Sequence, residues 1–508
     1  MSRVSKNIAF NVIGQGAIVA LGFWGTRLVF RQLGDEALGI LYFAIAIYAV
    51  LTPILDLGVS STVVREVASH LKTDPEYVLR LICTSTLFYW CAYTVLAACV
   101  WVIAPWLVSQ WIHLRTLDVS VAVHAFRVLA LGLLLMLPRS LYSNLLRGVE
   151  RMEFNNAIDV TTIALQQGGT ILVIILGGGV VEIAYCYLIS LVLSILAYIA
   201  TAAQFFSFRA FLPGFYRDVV RKNLAFTSHV GAYSFLAMIQ MEADKVLVSK
   251  LVPVGLLGFY GVAQTMVARV SRIPAAVSQA AFPRFSSLFH HHDRAGLLRE
   301  YRRLQDLVCY GLVPVFAAII FASKPLFTYL LSAQAARILL LPTILLCLGW
   351  YMNGTLNIPA ILALAVGRAD IGARQNLYAL FLVLPVTVGL IWKGGLVGAG
   401  LSFVMYHFFA YSYGARRTAS ECLGMHPRDW YFHVGSILGL ASATYGAIWL
   451  ILNLSSQTSV SSLVVAYGLA SAAYVYAAYL VVGDELREGF VSWRGRVAGG
   501  MLRYISSN

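Results

Sequence analysis

The sequence has few charged residues and no long polar stretch. Asp, Glu, Lys and Arg make up 12% of its 508 residues, and hydrophobic residues make up 59%, whereas ordinary soluble domains are about a quarter charged. No polar stretch is longer than about thirty residues, far short of a usual soluble domain. The composition therefore excludes a water-soluble domain large enough for a conventional enzyme, and it predicts an all-α, polytopic membrane protein.

Motifs for common catalytic and metal sites are also lacking. None of the seven cysteines stands in a CxxC pair or at a zinc-ligand spacing, and no lysine follows a phosphate-binding G-x-x-x-x-G loop. His290, His291 and His292 are adjacent and lack the spacing that lets ligands converge on a metal. We expect no metal, no cofactor, no built-in ATPase and no enzyme activity, while coupling to protons or other cations stays open.

Apolar segments recur at lengths that suit membrane helices. A hydrocarbon core about 30 Å thick needs about 20 apolar residues per helix, and turn-forming residues separate the segments, as at Gly34-Asp35-Glu36, Val252-Pro253 and Lys393-Gly394-Gly395. We predict about fourteen spans, which begin near Ile8, Ala37, Leu81, Val121, Ala157, Glu182, Phe226, Leu256, Leu304, Leu341, Leu377, Leu396, Tyr431 and Ser461.

Lysine and arginine predict which loops face the cytoplasm. Positively charged loops are retained on the cytoplasmic side, and the even-numbered connections carry most of these residues, for example Arg65, Lys72 and Arg80 in the first of them. The pattern places both termini in the cytoplasm. It also accounts for the formal net charge of +14 without a nucleic-acid partner.

An internal repeat indicates a duplicated helix bundle. Leu38-Gly39 and Leu257-Gly258 open the second and eighth spans in similar sequences, and the same offset places Gly148 on Gly367. Transporters are often built from such repeats, with the binding site between them. We predict an N-terminal six-helix lobe (1–222), a C-terminal six-helix lobe (223–430), an additional helix pair (431–483) and a cytoplasmic amphipathic tail (484–508).

Ionisable residues inside the predicted spans are the strongest indication of function, because charge is costly in a membrane and usually faces a polar cavity or a partner. The first, seventh and eighth spans contain them: Arg27, Arg31, Glu242, Asp244, Lys245, Arg269 and Arg272.

Helical geometry places Arg27 at a depth similar to that of Glu242 and Asp244, so an ion pair between helices is reasonable. The alternatives are that the first-span arginines reach the outer headgroups and that the acids neutralise Lys245. If the arginines outnumber nearby acids, the cavity is positive and suits a phosphate-bearing cargo. Pro53 and Pro274 permit kinks in the second and eighth spans and are candidate hinges.

Four segments resemble those of bacterial polysaccharide biosynthesis flippases, a branch of the multidrug/oligosaccharidyl-lipid/polysaccharide exporter superfamily. They are ILDLGVSSTVVREVA from Ile54, LLRGVERMEFNNAID from Leu145, MEADKVLVSKLVPVGLLGFYGVAQ from Met241, and LALAVGRADIGARQNL from Leu362 together with GGLVGAGLSF from Gly394. The resemblance implies a central cavity formed by the first, second, seventh and eighth helices of two lobes.

That resemblance also implies a function and a substrate. We expect transport of an undecaprenyl-diphosphate-linked oligosaccharide across the bacterial inner membrane by alternating access, for surface polysaccharide or O-antigen biosynthesis. Arg27, Arg31, Arg269 and Arg272 are candidates for holding the diphosphate, and a polysaccharide polymerase and glycosyltransferases are candidate partners. A cation antiporter of the same superfamily, a membrane-embedded glycan polymerase or ligase, and a lipid scramblase are the alternatives.

Overall fold

The structure is a computed structural model. It describes the backbone of residues 3–56, 58–454 and 459–481, and their side chains except at 3–17, 53–55, 225, 226 and 229–241. Helices account for the regular structure of these residues, and no strand occurs among them. The predicted amphipathic tail lies outside the described residues.

Sixteen α-helices follow one another in the described chain. They are α1 (Arg3–Asp56), α2 (Val59–His70), α3 (Pro75–Trp106), α4 (Val119–Leu134), α5 (Met136–Gly148), α6 (Met152–Ile175), α7 (Val180–Ala202), α8 (Arg217–Leu251), α9 (Val254–Ala268), α10 (Arg272–His290), α11 (Arg294–Leu330), α12 (Ala333–Ala365), α13 (Ala369–Ala410), α14 (Pro427–Ala441), α15 (Ala447–Leu454) and α16 (Val460–Val481).

Ten stretches of the described chain are long and apolar enough to cross a membrane. Two of them contain a break at a glycine: Gly34 in α1 has φ 86°, and Gly395 in α13 has φ 52°, values that glycine adopts readily because it lacks a Cβ. Each of these helices therefore supplies two spans. With α8 as the seventh span and α9–α10 as the eighth, the architecture of about fourteen spans is confirmed.

Residues to Gly261, together with Tyr329–Ser332 and Ile391–Leu396, form one compact unit, called unit 1. In it, α4 and α6 both pack on α7, and α1 contacts α4, α6 and α8. Phe43 and Phe126 are fully buried with ring centroids 5.2 Å apart. This core holds the second half of α1 in place beside the charged helix α8.

The two segments that the internal repeat pairs lie against each other in unit 1. A Cβ on Gly258 would lie 2.8 Å from Gly39 N, and a Cβ on Gly39 would lie 2.2 Å from Val254 O. The backbones of α1 and α9 therefore touch at a point where only glycine fits, as in the small-residue contacts between membrane helices.

Val262–Thr328, Ala333–Leu390 and the chain from Val397 onward form unit 2. A buried histidine of this unit has hydrogen-bond partners at both ring nitrogens. His407 Nδ1 lies 2.8 Å from Phe403 O and so donates to it, which leaves His407 Nε2 to accept from Asn353 Nδ2 at 3.1 Å. This pairing satisfies the polar groups without charge inside the span.

The additional helices α14 and α16 pack on α11 within unit 2. Trp430 Nε1 donates to Tyr301 Oη at 3.0 Å, His433 Nε2 lies 2.7 Å from Asp306 Oδ1, and Tyr474 Oη donates to Tyr310 O at 3.1 Å. These contacts attach the last two spans to the helix bundle that precedes them. The lobe boundaries drawn from the repeat, at 222/223 and 430/431, stay predictions.

Candidate functional site

The arginines of the first span lie in unit 1 and differ in their surroundings. Arg27 Nη1 donates to Tyr329 O at 2.6 Å, and its guanidinium carbon lies 3.6 Å from the centroid of the Tyr329 ring. Arg31, one helical turn further, is exposed. A carbonyl and an aromatic face orient the Arg27 cation without neutralising it, and most of its five N–H donors stay available for a ligand.

Two acids of α8 have partners within unit 1. Glu242 forms an ion pair with Lys245, one turn along the same helix. The buried Asp244 accepts a hydrogen bond from Tyr260 Oη at 2.6 Å. The interhelical pair expected between Arg27 and these acids is not what the described contacts show, because each acid has a nearer partner.

The Asp244–Tyr260 bond is expected to hold α8 and α9 together. Tyr260→Phe removes the only described donor to a buried carboxylate, whose Oδ1 is already without a hydrogen-bond partner among the described residues. We expect a loss of about 1–2 kcal/mol in the free energy of unfolding, measured by thermal unfolding in detergent. Tyr476→Phe, at a side chain that is 69% exposed, is the control and should leave the unfolding temperature unchanged.

The arginines of the eighth span lie in unit 2, where the helix is interrupted. A 3₁₀ turn, Arg269–Ser271, separates α9 from α10, and Arg272 is the first residue of α10; both arginines are exposed. Pro274 has no N–H for Val270 O, four residues earlier, and its ring crowds that carbonyl. The proline thus explains the break beside the two arginines, while the side chain of the other candidate hinge, Pro53, lies outside those described.

Glu36 is a buried acid whose role the sequence did not reveal. Its carboxylate accepts hydrogen bonds from the backbone N–H groups of Arg115, Thr116 and Leu117 at 2.5, 2.9 and 2.7 Å. Glu36 therefore fastens the loop after the third span to the start of the second half of α1. The signal was an acid two residues after the break at Gly34, but its donors lie about eighty residues away along the chain.

A second buried acid, Glu66 of α2, contacts residues near the starts of two other helices of unit 1, α3 and α8. It accepts from Arg65 Nη2 at 2.6 Å and from Tyr77 Oη at 3.0 Å, and Lys222 Nζ lies 3.5 Å away. Asn223 Nδ2 donates to Tyr77 Oη at 2.9 Å. This cluster joins α2, α3 and α8, and Glu66 itself lies outside the ten stretches that are long and apolar enough to cross a membrane.

Acidic pH is expected to weaken the cluster of contacts around Glu66. Burial raises the pKa of Glu66, but hydrogen bonds from Arg65 and Tyr77 and the charges of Arg65 and Lys222 outweigh it and hold the pKa below the ordinary 4.5. The stabilisation is therefore present above pH 4.5 and is lost as the pH falls through the folded-state pKa.

We expect Glu66→Gln to lower the free energy of unfolding by about 1–2 kcal/mol at neutral pH. The loss is moderate because the cationic partners Arg65 and Lys222 are half exposed and solvent screens their charges. The difference from wild type should vanish in acid, as measured by thermal unfolding between about pH 3 and pH 7. Glu153→Gln, at an acid that is 57% exposed, is the control, and an equal loss in both variants would contradict the role of Glu66.

Metal ligation has no candidate here, since the described residues include no group of three or more His, Cys, Asp or Glu side chains placed to hold an ion. What the described residues present instead is four arginines, two in the first span and two at the break in the eighth, and Tyr329 orients Arg27 among them.

Sequence comparisons relate the chain to known proteins. A family model described as "Polysaccharide biosynthesis protein" matches residues 4–289. The chain is 24% identical over 419 residues to a "Putative O-antigen transporter" of Shigella flexneri, covering 79% of this chain and 94% of the relative. It is 21% identical over 420 residues to the "Lipopolysaccharide biosynthesis protein WzxC" of Escherichia coli (strain K12), covering 80% and 79%.

Solved structures of transporters share the fold. The lipid II flippase MurJ in an inward closed conformation superposes with a TM-score of 0.70 at 13% identity, over 92% of this chain and 98% of that one. An inward-facing multidrug resistance MATE family transporter of the MOP superfamily gives a TM-score of 0.66 at 15% identity, over 79% and 95%. At these identities the likeness establishes the fold alone.

Proposed function

The chain belongs to the family of polysaccharide biosynthesis proteins, and from this premise we propose that it is a flippase for a lipid-linked oligosaccharide. It carries the oligosaccharide from the cytoplasmic to the outer leaflet of a bacterial inner membrane, with both of its own termini in the cytoplasm. The relatives named for O-antigen transport and lipopolysaccharide biosynthesis support this cargo. The transport needs no covalent chemistry and no enzyme activity.

The observation that carries the proposal is the environment of the Arg27 side chain. Arg27 lies within a span, and its guanidinium is oriented by the carbonyl and the ring of Tyr329. These described contacts do not neutralise its charge, as a carboxylate would. A guanidinium stays protonated when it is desolvated and matches phosphate oxygens in a bidentate fork. We assign the diphosphate of an undecaprenyl-diphosphate carrier to Arg27, Arg31, Arg269 and Arg272.

An apolar cavity of unit 2 supports a place for the carrier's lipid tail. It measures about 300 Å³ and lies between α11, α12 and the helix formed by α14 and α15; Phe316, Ile320, Tyr445 and Trp449 are among its lining residues. A polyprenyl chain needs such a surface when its headgroup leaves the bilayer interface, because exposure of the apolar chain to water is unfavourable.

The transport cycle that we propose is alternating access, in which the spans part first on one side of the membrane and then on the other. Glu242 and Asp244 are the candidates for coupling to protons or other cations. Their partners are Lys245 and Tyr260, which hold both acids in a fixed arrangement within unit 1, and a structural role is the alternative to coupling.

Transport of cationic drugs is the principal rival, since the multidrug transporters have the same fold. A site for organic cations needs acids that face the ligand. Here Asp244 is buried against Tyr260 and Glu242 is paired with Lys245, so both acids already have a partner within unit 1.

Deletion of the gene tests the proposal in the cell. Oligosaccharide-linked lipid should accumulate on the cytoplasmic leaflet, as measured by its protection from an impermeant glycosidase in spheroplasts, and a plasmid copy should relieve the accumulation. Normal surface polysaccharide in the deletion strain would reject the proposal. A build-up of precursor on the outer leaflet would also reject it and indicate a polymerase or ligase instead.

A further inference from the structure

A second, basic pocket of unit 2 lies where the twelfth span ends and α14 begins. It measures about 650 Å³. A π-helical turn, Tyr411–Ala415, forms one side and the first turn of α14 forms the other. Its lining residues are Phe408, Tyr411, Ser412, Arg416, His426, Pro427, Arg428 and Tyr431.

The charge of this pocket is positive and uncompensated. Arg416 and Arg428 are exposed and form no ion pair with a described carboxylate, and none of the described lining residues is acidic. Their neighbour Arg417 behaves differently, because its Nε lies 3.6 Å from Glu421 Oε1. Two unpaired guanidinium groups on one pocket favour an anion with several oxygens, such as a phosphate ester.

The remaining lining residues have the properties of a membrane interface. Phe408 is 60% exposed, and Tyr431 is 36% exposed while its hydroxyl donates to Tyr411 O at 3.0 Å. Phe432, the next residue, is 80% exposed. Aromatic side chains of this kind concentrate where lipid headgroups meet the hydrocarbon region. A soluble anion makes no favourable contact with these exposed aromatic side chains, whereas the acyl chains of a lipid do.

Ordered backbone completes the pocket. His426 is the residue before α14, and its Nδ1 accepts from Arg428 N at 3.3 Å while Asp429 N donates to His426 O at 3.0 Å. This turn orders the backbone of Arg428 beside the pocket that Arg416 also lines. A ligand that bonds to both arginines would tie α14 to the twelfth span.

We propose that this pocket binds the phosphate headgroup of an anionic phospholipid of the surrounding bilayer, with its acyl chains along Phe408, Tyr431 and Phe432. The lipid is a structural ligand and not the cargo, so the site goes beyond the flippase function. Pockets lined by basic residues between membrane helices are known sites for such headgroups.

Lipid titration of the purified, delipidated full-length protein tests the site. Phosphatidylglycerol and phosphatidylcholine are added separately in detergent, and bound lipid is counted by native mass spectrometry alongside the thermal unfolding temperature. We expect phosphatidylglycerol to bind and stabilise the wild type, and Arg416→Gln/Arg428→Gln to bind it about 30-fold more weakly. Arg299→Gln/Arg302→Gln, which removes two exposed arginines elsewhere, is the matched control and should bind like wild type.

Several results would overturn the proposal. They are equal binding of phosphatidylcholine, equal binding by the double variant and wild type, equal stabilisation by inorganic phosphate alone, and displacement of phosphatidylglycerol by equimolar undecaprenyl diphosphate, which would assign the pocket to the cargo. If the double variant does not purify as a monodisperse protein, Arg428→Gln alone should still weaken binding about fivefold, and unchanged binding would contradict the site.

Discussion

Oxidation of a Tyr42→Cys/Gly261→Cys protein is expected to stop oligosaccharide export, and reduction is expected to restore it. The two positions lie on the second and eighth spans, and a Cβ on Gly261 would lie 2.4 Å from Tyr42 Cγ. Removing the ring makes room for a disulfide, which needs about 3.5–4.5 Å between Cβ atoms. If these spans must part to release the cargo, a covalent bond between them holds the protein in one state.

A second pair of cysteines serves as the control for the effect that any engineered disulfide has on export. A Cβ on Gly132 would lie 3.5 Å from Leu188 Cβ, so Gly132→Cys/Leu188→Cys should also cross-link, between helices of one predicted lobe. Both pairs are built into a chain whose seven native cysteines are replaced. Export that continues at the wild-type rate in the fully cross-linked Tyr42/Gly261 protein would contradict alternating access at this contact.

Replacement of the eighth-span arginines is expected to have a comparably large effect. Arg269→Ala/Arg272→Ala should lower the rate of export at least about 100-fold, because each arginine is proposed to form charge-assisted bonds with the diphosphate. Export is measured as radiolabelled sugar that reaches the cell surface, normalised to the amount of protein in the membrane.

Two variants separate a cargo contact from a structural role. Arg269→Lys/Arg272→Lys keeps the charge and loses the fork, and it should retain an intermediate rate. Arg284→Ala removes an exposed arginine further along α10 and should export normally. If the alanine double variant folds and exports at the wild-type rate, these arginines do not hold the cargo.

Features that depend on local chemistry could be predicted from the sequence. The breaks at Gly34 and Gly395 and the turn at Val252-Pro253 follow from residues that cannot continue a helix or tolerate special backbone angles. The number of spans follows from apolar length. The repeat also predicted a relation between Gly39 and Gly258, although not that the two would touch.

Partners of the charged residues could not be predicted, because the folded chain brings them together from far apart. Arg27 is bonded to Tyr329, 302 residues away, and Glu36 takes its donors from backbone groups that have no side-chain signature. The expectation of an Arg27 pair with Glu242 or Asp244 used helical depth alone. Depth along the helix does not reveal that Lys245 lies nearer to Glu242, or Tyr260 nearer to Asp244, than Arg27 does.

The central claim is that cations within the spans move a diphosphate-linked oligosaccharide between leaflets, and reconstitution tests it most directly. Purified protein is placed in liposomes that contain the lipid-linked oligosaccharide, with and without an imposed proton gradient, and an impermeant glycosidase reports the exposed share over time. Wild type should expose the inner-leaflet pool, while Arg27→Gln/Arg31→Gln should leave it protected. Exposure that is equal in protein-free liposomes, or equal in wild type and the arginine variant, would contradict the claim.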